Sequence, residues 1–215
     1  MLTIDGKRVC ETLAEVVDPG RAALAVIDIE NSSMWDDGPD RAILDSVKRL
    51  VQAARGAGVP VFFFYNFRGP GLRNFSAAYL RALINLGHPA AELRTRFEPA
   101  ADRMRVHPRL EPQPQDVVIP KDRGSAFKGT DFDLLLRTLQ RESVVVVGCS
   151  TDWCVEATAW DGNGLDYYLV MVEDCLRSPR PDGHRAALRQ FRAIGLDLTT
   201  SADLLHLWEH AAPTP

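Results

Sequence analysis

No stretch of this 215-residue chain approaches the roughly eighteen uninterrupted apolar residues a membrane helix needs, so nothing in it is expected to span a bilayer. Cysteine is sparse. Cys10, Cys149, Cys154 and Cys175 form neither a CxxC pair nor a dense framework, which argues against a disulfide scaffold and for a reducing compartment. The opening segment MLTIDGKRVCETLAEVVD has no apolar run behind a basic flank, so no signal peptide is expected and the cytoplasm follows. Charge of one sign is not in excess: the formal net charge of −4 gives no reason to invoke nucleic acid or an anionic membrane as partner. There is no Walker A sequence and no G-x-G-x-x-G, and GPGLRN at 69–74 reads only as a turn-rich loop. HLWEH at 206–210 fits a helical zinc pattern, but so close to the last residue it reads more simply as a helix end carrying cations in its last turn.

What is present is an ordinary globular composition, 46% hydrophobic and 25% charged, at a length suited to one domain over residues 1–215. Apolar runs occur at Ala22–Ile29, Val59–Asn66, Val117–Pro120, Ser143–Gly148 and Tyr167–Val172, with a weaker one at Leu196–Thr199. Such short runs, apolar on both faces and rich in Val and Phe, read as buried parallel strands. Helical patterns fall between or after them, at about 41–57, 131–141, 154–164, 182–194 and 201–210. The alternation predicts an α/β fold, a three-layer doubly wound sandwich around a mostly parallel six-stranded sheet. Residues 67–116 break the rhythm. They hold at most one helix, near 75–86, and read as a variable insertion, either a functional loop or a solvated connector; eight arginines lie between Arg68 and Arg109.

In open α/β sheets ligands sit beyond the carboxyl ends of the strands. Three reactive side chains fall there: Asp28 after the first strand, Lys121 after VVIP, and Cys154 six residues past Gly148. Thr151 could cap the helix that begins in TDWCVEATAW, placing Cys154 in its first turn, where the helix dipole and a nearby lysine would favour thiolate. By position alone a small buried thiol explains Cys154 as well. Asp28, flanked by apolar residues, requires a partner or a function, since an unpaired buried carboxylate is costly.

Taken together and in order, VIDIEN (26–31), IPKDRGSAFKGTDFDLLLR (119–137) and VVGCSTDWCVEATAWD (146–161) resemble the isochorismatase-like cysteine hydrolases, which include nicotinamidases, N-carbamoylsarcosine amidases, biuret hydrolases and ureidoacrylate amidohydrolases. The resemblance runs from residue 22 to about 205. It implies a catalytic triad of Asp28, Lys121 and Cys154, a non-proline cis peptide between Cys149 and Ser150, and an oxyanion hole made by the amides of Ser150 and Cys154. It also implies a homodimer or homotetramer; Trp160 on the nucleophile helix and the Phe, Leu and Arg residues of 67–97 are residue types enriched at interfaces.

Two positions depart from the family pattern. The usual glutamine is Glu30, adding a negative charge near the site, and FYNFRGPGLRNF at 64–75 lacks the histidines that hold a metal in nicotinamidases. No metal and no cofactor are therefore expected. The implied chemistry is cleavage of an amide, ureido or carbamoyl C–N bond of a small molecule through a thioester. Isochorismatase-type vinyl-ether hydrolysis, which does not need the cysteine, and a non-catalytic binding role on the same scaffold are the alternatives. Trp35, Phe67, Arg68, Phe127 and Trp153 are the candidate substrate-binding residues, the aromatics for a planar ligand and the arginine for a carboxylate.

Overall fold

The structure, a computed structural model, describes residues 1–31, 33–67, 72–97 and 105–211. It opens with an antiparallel hairpin of β1 (Leu2–Ile4) and β2 (Lys7–Val9), then α1 (Leu13–Val16), whose start is fastened by a reciprocal capping box of Thr12 and Glu15. None of these three was expected. They are short and largely exposed, so they carry no run of apolar residues to read.

The main sheet comprises β3 (Ala22–Ile27), β4 (Val61–Asn66), β5 (Val117–Lys121), β6 (Ser143–Cys149), β7 (Tyr168–Arg177) and β8 (Asp197–Thr199). Its order is β5-β4-β3-β6-β7-β8 and every pairing is parallel, so the expectation of a mostly parallel sheet is met in full. β7 runs on to Arg177, past the expected end at Val172, because its register shifts against β6 between Val146 and Gly148 and pairing then resumes. The helices are α2 (Gly38–Gly56), α3 (Ala77–Asn85), α4 (Leu93–Phe97), α5 (Phe132–Thr138), α6 (Glu156–Gly164), α7 (Pro181–Ala193) and α8 (Ser201–Glu209). The 67–116 insertion thus holds two helices in its described parts, plus single 3-10 turns at Ala90–Glu92 and Pro108–Leu110.

Alternation along each strand divides the core into two layers. Leu24, Val26, Phe63, Val145 and Val170 pack with Leu44, Val47, Leu50 and Val51 of α2 and with Leu204 and Trp208 of α8. Ala25, Ile27, Phe62, Phe64 and Val146 face the opposite way, onto Phe132 and Leu136 of α5, Ala159 of α6 and Phe191 of α7. Helices cover both faces, which is why the strand sequences are apolar throughout instead of alternating. Among the described residues no helix is long and apolar enough to cross a membrane.

Strand order reverses between β3 and β6: from β3 the chain winds outward to β4 and β5, and from β6 outward to β7 and β8. That is the point where such sheets bind ligands. The two central strands approach very closely there. Gly148 on β6 has φ +117°, and a Cβ on it would run into the carbonyl oxygen and backbone of Ile27 on β3. Only glycine suits both the conformation and the space. Gly148→Ala is therefore expected to lower stability by about 3 kcal/mol or more; an unchanged urea midpoint would show that the two strand ends can part without cost.

Candidate active site

Asp28 follows the last residue of β3 in a left-handed conformation, φ 51°, and its side chain is buried. Lys121 ends β5, two strands away, and its long side chain crosses beneath the end of β4 to reach it. Lys121 Nζ lies 2.8 Å from Asp28 Oδ2, with both side chains almost wholly removed from solvent. The same Nζ donates to Asn66 Oδ1 at 3.1 Å, to the Arg123 carbonyl at 3.1 Å and to Cys154 Sγ at 3.5 Å. The Asp28 contact is a charge pairing: neither carboxylate oxygen meets hydrogen-bond geometry with a donor among the described residues. Burial opposes the Lys121 charge, but Asp28 and then Cys154 outweigh it and raise the ammonium pKa above its ordinary value.

Cys154 sits in a turn of π-helix, Thr151–Val155, that leads into α6. The Val155 amide reaches back to the Ser150 carbonyl at 3.1 Å, closing the wider ring of that turn. Thr151 does not cap it; Thr151 is buried and its hydroxyl pairs with His184 Nδ1 of α7 at 2.8 Å. Ser150 occupies the cap position without a side-chain bond, and the peptide between Cys149 and Ser150 is cis. Thr158, also buried, donates to the Cys154 carbonyl at 2.7 Å and accepts from the Ala126 amide at 3.0 Å, tying the π turn to the loop after β5.

The thiol is not the depressed one that a helix N-terminus and a lysine led us to expect. Burial raises the Cys154 pKa well above its usual value, the Asp28 charge adds to the rise, and Lys121 only partly offsets it. Desolvation penalises any thiolate, and an anion beside the sulfur penalises it again. Cys149, also buried, is pushed up to about 12, mainly by that burial.

Asp28 and Cys154 open onto a cavity of about 580 Å³. Asp28, Cys149, Ser150 and Cys154 line it, with Glu30, Asn66, Arg123 and Arg180 around them and Tyr79, Leu83, Leu86 and Phe97 of the insertion as an apolar outer wall. Of the expected substrate-binding residues, Trp35 and Trp153 line the cavity; Trp35 is fully buried and Trp153 is partly exposed. Phe127 does not line it, being packed in the core against Phe132 and Tyr167 at ring distances of 4.8 and 5.7 Å. Nor does Phe67, whose backbone continues the β4–β5 pairing through the Lys121 carbonyl while its ring is exposed. Arg68 lies outside the described residues.

Glu30 accepts from both the Asn66 amide, at 2.7 Å, and its Nδ2, at 3.0 Å, which turns Asn66 Oδ1 toward Lys121. Asn66, Thr158, Asp152 and Arg180 were not singled out from the sequence. Asn66 alone carried a signal, its place at the carboxyl end of a strand. Among the described residues no group of three or more His, Cys, Asp or Glu side chains is placed to hold a metal ion.

Comparison with known proteins identifies the family. The isochorismatase domain model matches residues 22–203. A ureidoacrylate amidohydrolase, RutB, of Pseudomonas savastanoi pv. phaseolicola (strain 1448A / Race 6) is 31% identical over 189 residues, covering 79% of this chain and 76% of that one. The crystal structure of a cysteine hydrolase from Pseudomonas syringae pv. phaseolicola 1448A superposes with a TM-score of 0.78 at 22% identity, over 92% of this chain and 96% of that one. The nicotinamidase PncA of Bacillus subtilis superposes with a TM-score of 0.66 at 27% identity, over 83% and 99% of the two chains. A matching family model across the whole sheet, and a relative this similar over most of both chains, lead to one conclusion: the chain belongs to the isochorismatase family of hydrolases.

Proposed function

We propose that this chain is a cysteine-dependent amidohydrolase that cleaves an amide, ureido or carbamoyl C–N bond of a small molecule. The observation that carries the reading is the buried cluster of Cys154, Lys121 and Asp28, whose sulfur and carboxylate residues line the cavity, with Lys121 Nζ 2.8 Å from the carboxylate and 3.5 Å from the sulfur. The names of the relatives support the bond type: a ureidoacrylate amidohydrolase, a nicotinamidase and an N-carbamoylsarcosine amidase from Thermoplasma acidophilum.

In the proposed cycle Asp28 takes the thiol proton as the sulfur attacks the substrate carbonyl, forming a C–S bond. The amides of Ser150 and Cys154 hold the oxyanion. Collapse breaks the C–N bond, and Asp28 returns the proton to the leaving amine. Water then hydrolyses the thioester, giving the acid and the free thiol. Because the resting thiol holds its proton, the thiolate forms only as it attacks, and Lys121 keeps the carboxylate oriented for that transfer. A homodimer or homotetramer remains the proposed assembly.

Cys154→Ala is expected to reduce hydrolysis of small amides and ureides by about 10⁴-fold or more, measured as ammonia release. Full turnover of a vinyl ether by that variant would favour acid-catalysed vinyl-ether hydrolysis instead. Asp28→Asn should move two readouts in opposite directions. It removes the proton acceptor, so turnover falls by about 10²-fold or more. It also removes an anion that holds the thiol protonated, so thiolate forms at lower pH and iodoacetamide labels Cys154 faster across the neutral-to-alkaline range. Unchanged or slower labelling would contradict the assigned electrostatics. Lys121→Met should cost about 3–5 kcal/mol by leaving the Asp28 carboxylate buried without its cation, and Asp28→Asn in the same chain should recover part of that loss in urea unfolding.

A further inference from the structure

Among the described residues two arginines line the cavity, and they are held differently. Arg123 is tethered by Nη1 to the backbone carbonyls of Asn74, at 3.3 Å, and of Asp122, at 2.9 Å. Arg180, just before α7, is held from the rear. Its Nε donates to Asp152 Oδ2 at 2.8 Å, and its guanidinium carbon lies 5.9 Å from the centre of the Trp153 ring. Among the described residues the two terminal nitrogens of Arg180 have no hydrogen-bond acceptor.

The clamp that aims it is itself fixed. Asp152 is largely buried and its other oxygen accepts from Ser178 Oγ at 2.6 Å. The start of α7 presses on the same carboxylate, for a Cβ on Gly183 would overlap Asp152 Oδ2. Asp152 and Trp153 are the two residues immediately before Cys154, so the position of the guanidinium is set relative to the sulfur by the nucleophile turn itself.

We propose that Arg180 is the anion anchor of this cavity, so that the substrate is a small amide or ureide carrying a carboxylate that docks on the terminal nitrogens of Arg180 while its carbonyl meets Cys154. This rests on the hydrolytic reading above. With Nε occupied by Asp152, the free end of the planar fork presents two parallel N–H groups, the geometry that receives a carboxylate in a bidentate pair. The Trp153 face stabilises the cation and limits its rotation. Arg180 remains half-exposed, so the anchor decides selectivity by a moderate factor and leaves the chemistry to the floor. The aliphatic and aromatic wall from the insertion receives the uncharged part of the substrate.

The test compares N-carbamoyl-β-alanine and N-carbamoylglycine with their methyl esters, which differ only in the anion. Wild-type protein, Arg180→Met and Arg180→Lys are assayed for ureido cleavage, and Cys154→Ala with and without Arg180→Met is titrated with the same compounds by calorimetry. For at least one acid–ester pair, the acid should exceed its ester in kcat/KM by about ten-fold or more in wild type, mostly through KM. Arg180→Met should collapse that ratio to near one, and Arg180→Lys should restore part of it. Equal handling of acid and ester by wild type, or a preference that survives Arg180→Met, overturns the anchor while leaving the hydrolytic reading intact. Acid-selective binding that depends on Arg180 without any turnover upholds the anchor and sinks the hydrolytic reading. Absence of both turnover and acid-selective binding across the panel overturns the anchor as well.

Discussion

The buried pairing of Lys121 with Asp28 is the contact on which the site depends. Both side chains are almost wholly buried, so each is tolerable only beside the other, and removing one leaves a buried group without its compensating charge. That requirement links β5 to β3 across the end of β4 and sets where the carboxylate stands. Asn66 Oδ1 and the Arg123 carbonyl complete the coordination of the ammonium. The same pair shapes the thiol. A cation alone would draw Cys154 toward thiolate, but the cation here brings an anion and a dry environment with it, and the sulfur keeps its proton.

The second constraint is the closeness of β3 and β6 at the point where strand order reverses. Their last paired residues, Ile27 and Gly148, are in register, and the absence of a side chain at Gly148 lets the strand ends meet. Asp28 leaves one of them and Cys149–Ser150 the other, so Asp28 and the turn that carries Cys154 arrive side by side although more than a hundred residues separate them in the chain. The π turn then presents Cys154, and Thr158 and Thr151 fasten that turn from two sides.

Around this floor the cavity combines two kinds of wall. The framework supplies polar groups: Glu30, which orients Asn66, and Arg180, which Asp152 and Trp153 hold. The insertion supplies an apolar side through α3 and α4. Glu30 accepts from Asn66 through Oε1, and its charge pushes the neighbouring Cys149 thiol upward, secondary to burial and Asp28.

The sequence by itself determined the framework. Runs such as AALAVI and SVVVVG are apolar at every position, which only a strand covered on both faces can accommodate, and so the six strands and most of the helices between them were legible. It also placed Asp28, Lys121 and Cys154 at strand ends, because loops that follow parallel strands open on one edge of the sheet. What it could not decide depends on neighbours brought from distant segments. Phe127 and Trp153 are both aromatic residues near a motif, yet one fills the core beside Phe132 and the other lines the cavity beside Arg180, a difference set by how the loop after β5 and the π turn before α6 fold against the sheet. Asn66, Thr158 and Asp152 are common polar residues whose roles exist only through partners 55, 32 and 28 positions away. The protonation of Cys154 belongs with these: it is a sum of burial and opposing charges from three separate strand ends, and only the folded chain brings those terms to one place.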